Sequence, residues 1–355
     1  MRNKYLVKGL AILTVALMCL AGCGVSAENT DTTSEPDTNV IGSEVDSTNP
    51  ADEASSETET APVESIAEPE GAPLNTYGTL SVPTCITKID GLYFIVDCYH
   101  NQVIYHKNLT DPLTEWHVMT DAIDKGHTVA SDGVVYLVDD TEAHRILVFG
   151  KTEECFVQTQ VFESVGQRPH YIVYDEEQEC FYVWSSMTGE MFLYKRDAQD
   201  NQVSLWKTFS VPSLDQIYTR TFTILEDMIL FPSANGKITC VDKATLDILA
   251  VYTVPGELGG MIQIEEIQDY YYMTVSTDVN GNTDCATIVR FCSFEDLAEG
   301  YYEDLYDSFV RGGTPYFLIK TGEGFYMTEH RMDGKYGIWH FDVDNNELIN
   351  IRSIY

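Results

Sequence analysis

Apolar and polar positions alternate with a period of two through most of this chain after residue 80, in short runs broken by Gly, Asn and Asp. Residues 126–150, GHTVASDGVVYLVDDTEAHRILVFG, show the pattern most clearly. They read as an apolar strand, an Asp-Gly turn, a second strand rich in Val and Tyr, a polar loop and a third strand. Weaker copies begin at Thr84, Pro169, Arg220, Ile262 and Pro315, and the copy from Ile262 has a longer middle loop. Aligned first-strand positions are Cys85, His127, His170, Thr221, Gln263 and Tyr316, spaced by 42, 43, 51, 42 and 53 residues. A strand-and-turn repeat with a period in the forties is the mark of propeller blades.

Candidate fourth strands lie at 116–120, 155–162, 203–209, 250–254 and 348–351. After the fifth unit the pattern changes. SFEDLAEGYYEDLYDSF has a serine cap, an acidic first turn and apolar residues at helical spacing. It predicts a short helix over 294–306 that replaces or covers the outer strand. The expected fold is therefore all-β, a six-bladed β-propeller of four-stranded blades over residues 76–355. Seven blades or a β-sandwich are the alternatives, and the alignment leaves open whether residues 79–82 pair with the final blade. Blades two and one resemble NHL repeats, with Val138-Asp139 followed by Arg145-Ile146, and Val96-Asp97 followed by Gln102-Val103.

The N-terminal part is of another kind. Arg2, Lys4 and Lys8 precede an apolar run over 10–20, the layout of an export signal too short for a confident span. It ends in Leu20-Ala21-Gly22-Cys23, which resembles a bacterial lipobox. That resemblance implies a signal peptide over 1–22, cleavage before Cys23, and a lipid (palmitate among its acyl chains) on the Cys23 thiol. The protein is then expected at the cell membrane, lipid-anchored on its extracytoplasmic face in a bacterial cell envelope. The alternative is ordinary cleavage near Ala27. Residues 24–75 contain thirteen acidic residues, no Lys or Arg and no aromatic. Such a Ser/Thr/Pro-rich composition is expected to form a disordered tether over 23–75, spanning on the order of 40 Å.

Charge and cysteines exclude more than they assign. The chain carries a net charge of −35, with +3 in residues 1–22 and −13 in 24–75, which leaves −25 on 76–355. An acidic body argues against nucleic acid and against lying flat on an anionic membrane. Cys85, Cys98, Cys155, Cys180, Cys240, Cys285 and Cys292 are an odd set without CxxC spacing, so they are read as small apolar residues in strands.

In a propeller, first-strand starts and the loops between second and third strands converge on one channel mouth, the default site of the fold. Here they bring Glu329 together with His127, His170, Arg220, Gln263, Tyr316, His330 and Arg331, of which the last seven are the expected ligand-binding set. His127 and His170, at equivalent positions of neighbouring blades, suit a shared metal ion or a proton shuttle, and equally suit packing inside the channel. Arg220 and Arg331 suit a carboxylate or phosphate. Tyr316, Glu329 and Arg220 are the candidate catalytic residues. Asp97 and Asp139 read as turn carboxylates that accept backbone N–H groups, and Glu329-His330-Arg331 also reads as a solvated loop tip. Asp278, Asn280, Asn282 and Asp284 place oxygens at alternate positions, but Gly281 and the missing twelfth-position Glu break the calcium-loop pattern, so a hairpin turn is expected.

Three functions remain open. The first is a lipid-anchored surface propeller that binds a small molecule, a glycan or an exported protein at the His/Arg/Tyr-lined mouth. The second is a metal-dependent lyase or hydrolase at the same mouth. The fold and residue types are similar to those of peptidylamidoglycolate lyase, which implies zinc held by histidines with Tyr and Arg in catalysis. Related lactonases imply calcium. The third is a scaffold in a cell-envelope assembly. The reading leans to binding over catalysis.

Overall fold

The computed structural model describes residues 68–331 and 334–355. The expected signal peptide, Cys23 and all of the expected tether up to residue 67 lie outside the described residues. Twenty-four strands form six antiparallel four-stranded sheets, each a simple meander. The blades span 83–120, 129–162, 169–210, 223–253, 260–304 and 314–353. The expected six-bladed β-propeller is therefore the fold. Each expected fourth strand is present, for example Phe156–Phe162 and Glu347–Ser353.

Period-two patterning explains the layers. Second strands such as Leu92–Asp97, Val135–Asp140 and Cys180–Ser185 are buried at every position, because both faces meet a neighbouring blade. Outermost strands such as Val203–Ser210 are mostly exposed. Burying each large second-strand side chain contributes about 1.5–3 kcal/mol. Asp90 (φ 50°) and Gly91 (φ 78°) both take left-handed backbone, as the tight turn between the first two strands requires. Cys85, Cys98, Cys180 and Cys240 are buried free thiols, as expected of apolar strand residues.

Two details differ from expectation, and one question left open is answered. The helix, which lies between the third and fourth strands of blade five, spans only Phe294–Ala298, capped by the Ser293 side chain, which accepts from Asp296 N at 3.1 Å. Gly300 stops it with a φ of 85°, and Glu303–Asp304 then forms a short fourth strand. Next, ordered packing begins before residue 76. Residues 68–75 lie against blades one and two, where the Tyr105 hydroxyl donates to Pro69 O at 2.6 Å and Gly71 N donates to Glu154 O at 2.8 Å. Lastly, residues 79–82 add no strand to the final blade. Every blade is one contiguous segment, and the ring closes by side-chain bonds and packing between blades six and one.

Those side-chain bonds follow a pattern. The Thr84 hydroxyl donates to His127 O (3.0 Å), Thr221 to Ile262 O (2.6 Å), Thr274 to Tyr316 O (2.6 Å) and Thr328 to Thr84 O (3.0 Å). The Thr128 hydroxyl accepts from Ile172 N (3.1 Å), and Trp184 Nε1 donates to Thr219 O (2.9 Å). Each seam thus has a buried staple, of about 0.5–1.5 kcal/mol.

Candidate functional site at the channel mouth

The first strands of blades one, three, five and six carry a register irregularity near their start. Pro83 pairs with Asp97 and Cys85 with Val96, which leaves Thr84 bulged. Pro169 pairs with Ser185 and Tyr171 with Trp184, which leaves His170 bulged. Aligned on these bulges and on the hydroxyl bonds between blades, the ring at the mouth is Thr84, His127, His170, Arg220, Ile262 and Tyr316. The sequence pattern places Cys85, Thr221 and Gln263 in that ring, one residue too deep. In blades one and five the cause is a bulge, which shifts the count by one.

The ring residues meet across the channel. The His127 and His170 rings stack with centroids 3.7 Å apart and planes 27° apart. Nε2 of His170 lies 3.2 Å from the hydroxyls of both Tyr316 and Tyr218. Tyr316 in turn stacks on His330 at 4.0 Å. His127 Nδ1 bonds the Thr141 hydroxyl at 2.9 Å, and that hydroxyl lies 2.7 Å from an Asp139 oxygen. Asp139 also accepts from His127 N (3.0 Å) and Thr128 N (2.6 Å), so it is the turn carboxylate expected. Beneath the ring, Tyr171 of blade three packs on Phe317 of the opposite blade at 5.0 Å and on Phe222 at 5.5 Å. The mouth is a blind bowl.

Burial sets the electrostatics. It holds His170 well below the usual imidazole range, helped by His127, Arg220 and Arg168. His330 falls to about 3 for the same reason, with His127 and Arg220 adding to it. Burial also raises the Tyr316 phenol well above its ordinary range, so it stays protonated and able to donate to His170. Four buried polar atoms here have no hydrogen-bond partner: Arg168 Nε, His170 Nδ1, Ser186 Oγ and His330 Nε2. Of these residues His330 alone also lines a cavity of about 390 Å³ between blades five and six, with Thr283, Asp284, Arg311 and Gly313.

Other candidates are occupied elsewhere. Gln263 donates to Tyr171 Oη (3.0 Å), Glu265 (2.8 Å) and Leu318 O (3.1 Å) and accepts from Leu318 N (2.6 Å). It is a saturated bridge between blades five and six. Glu329 is fully buried and accepts from Tyr306 Oη (2.6 Å), Arg331 Nε (2.8 Å) and Trp339 Nε1 (3.1 Å). Arg331 is committed to Glu329 and to Val310 O. The structure brings these two together with each other, and neither has a group left for a ligand at the mouth. Asp278 accepts from the N–H groups of Asn280 and Asn282, both at 2.8 Å, which makes its loop the expected turn.

The metal expectation fits poorly. Imidazole lone pairs lie in the ring plane, so two rings stacked face to face do not aim at one ion between them. Among the described residues, no group of three His, Cys, Asp or Glu is arranged to hold a metal, whether zinc or calcium.

Sequence reasoning missed Arg168, Tyr218, Thr141 and Glu265. Arg168 and Tyr218 sit in connections between blades, outside any repeat. Burial pushes the Glu265 carboxyl up to about 8, and it accepts from Gln263. Its two-residue offset from Gln263 was the one available signal.

No family model matches the chain, and no curated protein matches it in sequence. Solved structures do share its shape. A Bacteroides fragilis protein named provisionally as a 6-phosphogluconolactonase superposes with a TM-score of 0.55 at 14% identity, covering 77% of this chain and 85% of its own. A Bacteroides uniformis protein of the same provisional name gives 0.55 at 12%, covering 79% and 88%. Kuenenia stuttgartiensis hydrazine synthase gives 0.53 at 17%, covering 76% and 79%. At such identities the likeness is one of fold alone.

Proposed function

We propose that this chain is a lipid-anchored, extracytoplasmic propeller that binds a small molecule in the bowl formed by His127, His170, Arg220, Tyr316 and His330. The observation that carries the reading is the set of four unpartnered buried polar atoms gathered around the channel mouth. Leaving such a group unpaired costs about 1–3 kcal/mol, so a fold retains several in one place only when something else completes them. A small molecule suits the bowl better than a glycan chain or a protein loop, because Tyr171 and Phe317 pack together beneath it. Anchoring rests on the Leu20–Cys23 motif and the export-signal layout before it.

The test is a thermal-shift screen of the full-length chain against charged and neutral small molecules. A ligand of the bowl raises the melting temperature of the wild type and leaves His170→Phe unmoved, while that variant folds as well as the parent. If no compound acts in a His170-dependent way, the reading is wrong. For the anchor, Cys23→Ser should move the protein from the membrane fraction to the soluble one; unchanged fractionation rejects lipid attachment at Cys23.

A further inference from the structure

The bowl is cationic in a protein that is otherwise strongly acidic. Of the chain's arginines, Arg145, Arg196, Arg290, Arg311 and Arg331 each meet a carboxylate at 2.5–2.9 Å. Arg220 does not: among the described residues its one hydrogen bond is a long one, Nη1 to Met261 O at 3.5 Å. Its guanidinium lies over the Tyr218 ring at 4.4 Å, and that of Arg168 lies over the same ring at 5.7 Å. Arg168 spends Nη1 on Glu142 at 2.5 Å and keeps a buried Nε–H without an acceptor.

Hydrogen-bond bookkeeping points the same way. Nε2 of His170 faces two phenol hydroxyls; in the tautomer in which a phenol donates to it, Nε2 accepts and Nδ1 carries the proton. That Nδ1–H is buried and unpartnered. The free groups of the bowl are therefore mostly donors, next to a guanidinium with no counter-charge. A half-buried cation without a partner is costly, and an acceptor-rich negative group is what cancels that cost.

We propose that the bowl's ligand carries an oxyanion, a carboxylate or phosphate on a compact organic molecule, held by Arg220 and Arg168 beside Tyr218 with His170 beneath. This deepens the small-molecule reading and rests on it. A guanidinium offers the planar, forked donor set that such groups accept from. The aromatic Tyr218 face fixes both guanidiniums in place before binding.

The experiment is calorimetric titration of the full-length chain at constant ionic strength with inorganic phosphate and with acetate, beside a neutral panel of methyl acetate and inositol. Wild type, Arg220→Gln, Arg168→Gln, His170→Phe and the control Arg196→Gln are compared. The expected result is binding of at least one anion, weakened about 10-fold or more by Arg220→Gln and by Arg168→Gln and unaltered by Arg196→Gln. Preference for phosphate over acetate, or the reverse, then assigns the group. Anion binding indifferent to both arginine variants overturns the proposal. So does His170-dependent binding of neutral compounds alone, which leaves the small-molecule reading standing. Absence of any His170-dependent binding in either panel rejects both.

Discussion

Glu329, His330 and Arg331 are consecutive, yet they belong to different regions of the molecule. Glu329 and Arg331 point to one side of the strand end and bind each other, Tyr306 and Trp339. His330 points to the other side, stacks on Tyr316 and leaves Nε2 buried without a partner. Period-two alternation makes this split. The two regions use similar residue types but differ in saturation. In the Glu329 clamp the buried carboxylate meets three donors, which is the signature of architecture. In the bowl, donors outnumber acceptors, which is the signature of a site awaiting one.

The contrast can be broken most forcibly at Glu329. Replacing it with Ala leaves Arg331 as a buried cation and strips Tyr306 and Trp339 of an acceptor. The expected loss is about 3–5 kcal/mol in chemical denaturation. A loss under about 1 kcal/mol would mean the clamp is not structural.

Acid titration probes the bowl next. His330 has a folded-state pKa near 3 against an ordinary 6.5, so the unfolded chain takes up its proton first. Its neutral form therefore contributes full stability above pH 6.5, and that contribution is lost as pH falls toward 3. His170 acts in the same direction. The urea midpoint should drop between pH 6.5 and 4, less steeply in His330→Phe. An identical slope in that variant would contradict the assignment.

The smallest effect belongs to Ser186. Its hydroxyl is buried and unpartnered, so Ser186→Ala should change stability by no more than about 0.5 kcal/mol, or raise it. A loss above about 1 kcal/mol would reveal a partner and weaken the contrast between the two regions.

The fold was legible because blade strands are short and regular, and their polar turns recur at a nearly fixed interval. Phe156–Phe162 and Glu347–Ser353 could be placed within a residue or two from patterning alone. The helix was overestimated because Gly300 was weighed less than the apolar spacing beyond it. His127, His170 and Tyr316 were legible as ring residues because they occupy equivalent turns. Gln263 and the Glu329–Arg331 pair were misassigned because sequence gives the place of a polar side chain but not whether its hydrogen bonds are already spent. Arg168 and Tyr218 were invisible for the opposite reason, since they lie in irregular connections that no period marks.

The way the ring closes also orders its assembly in time. Five of the blade-to-blade staples join residues 35–44 apart in sequence, from Thr84 to His127 and onward. The sixth, from Thr328 to Thr84, joins residues 244 apart. Loop-closure entropy makes that last join about 1.5 kcal/mol costlier than its siblings. Blade one is synthesised first and yet waits for blade six, with one flank bare until the final strands emerge. The residues at that flank are therefore where a folding chain is open longest to wrong partners, and Thr328 is the bond whose formation ends the exposure.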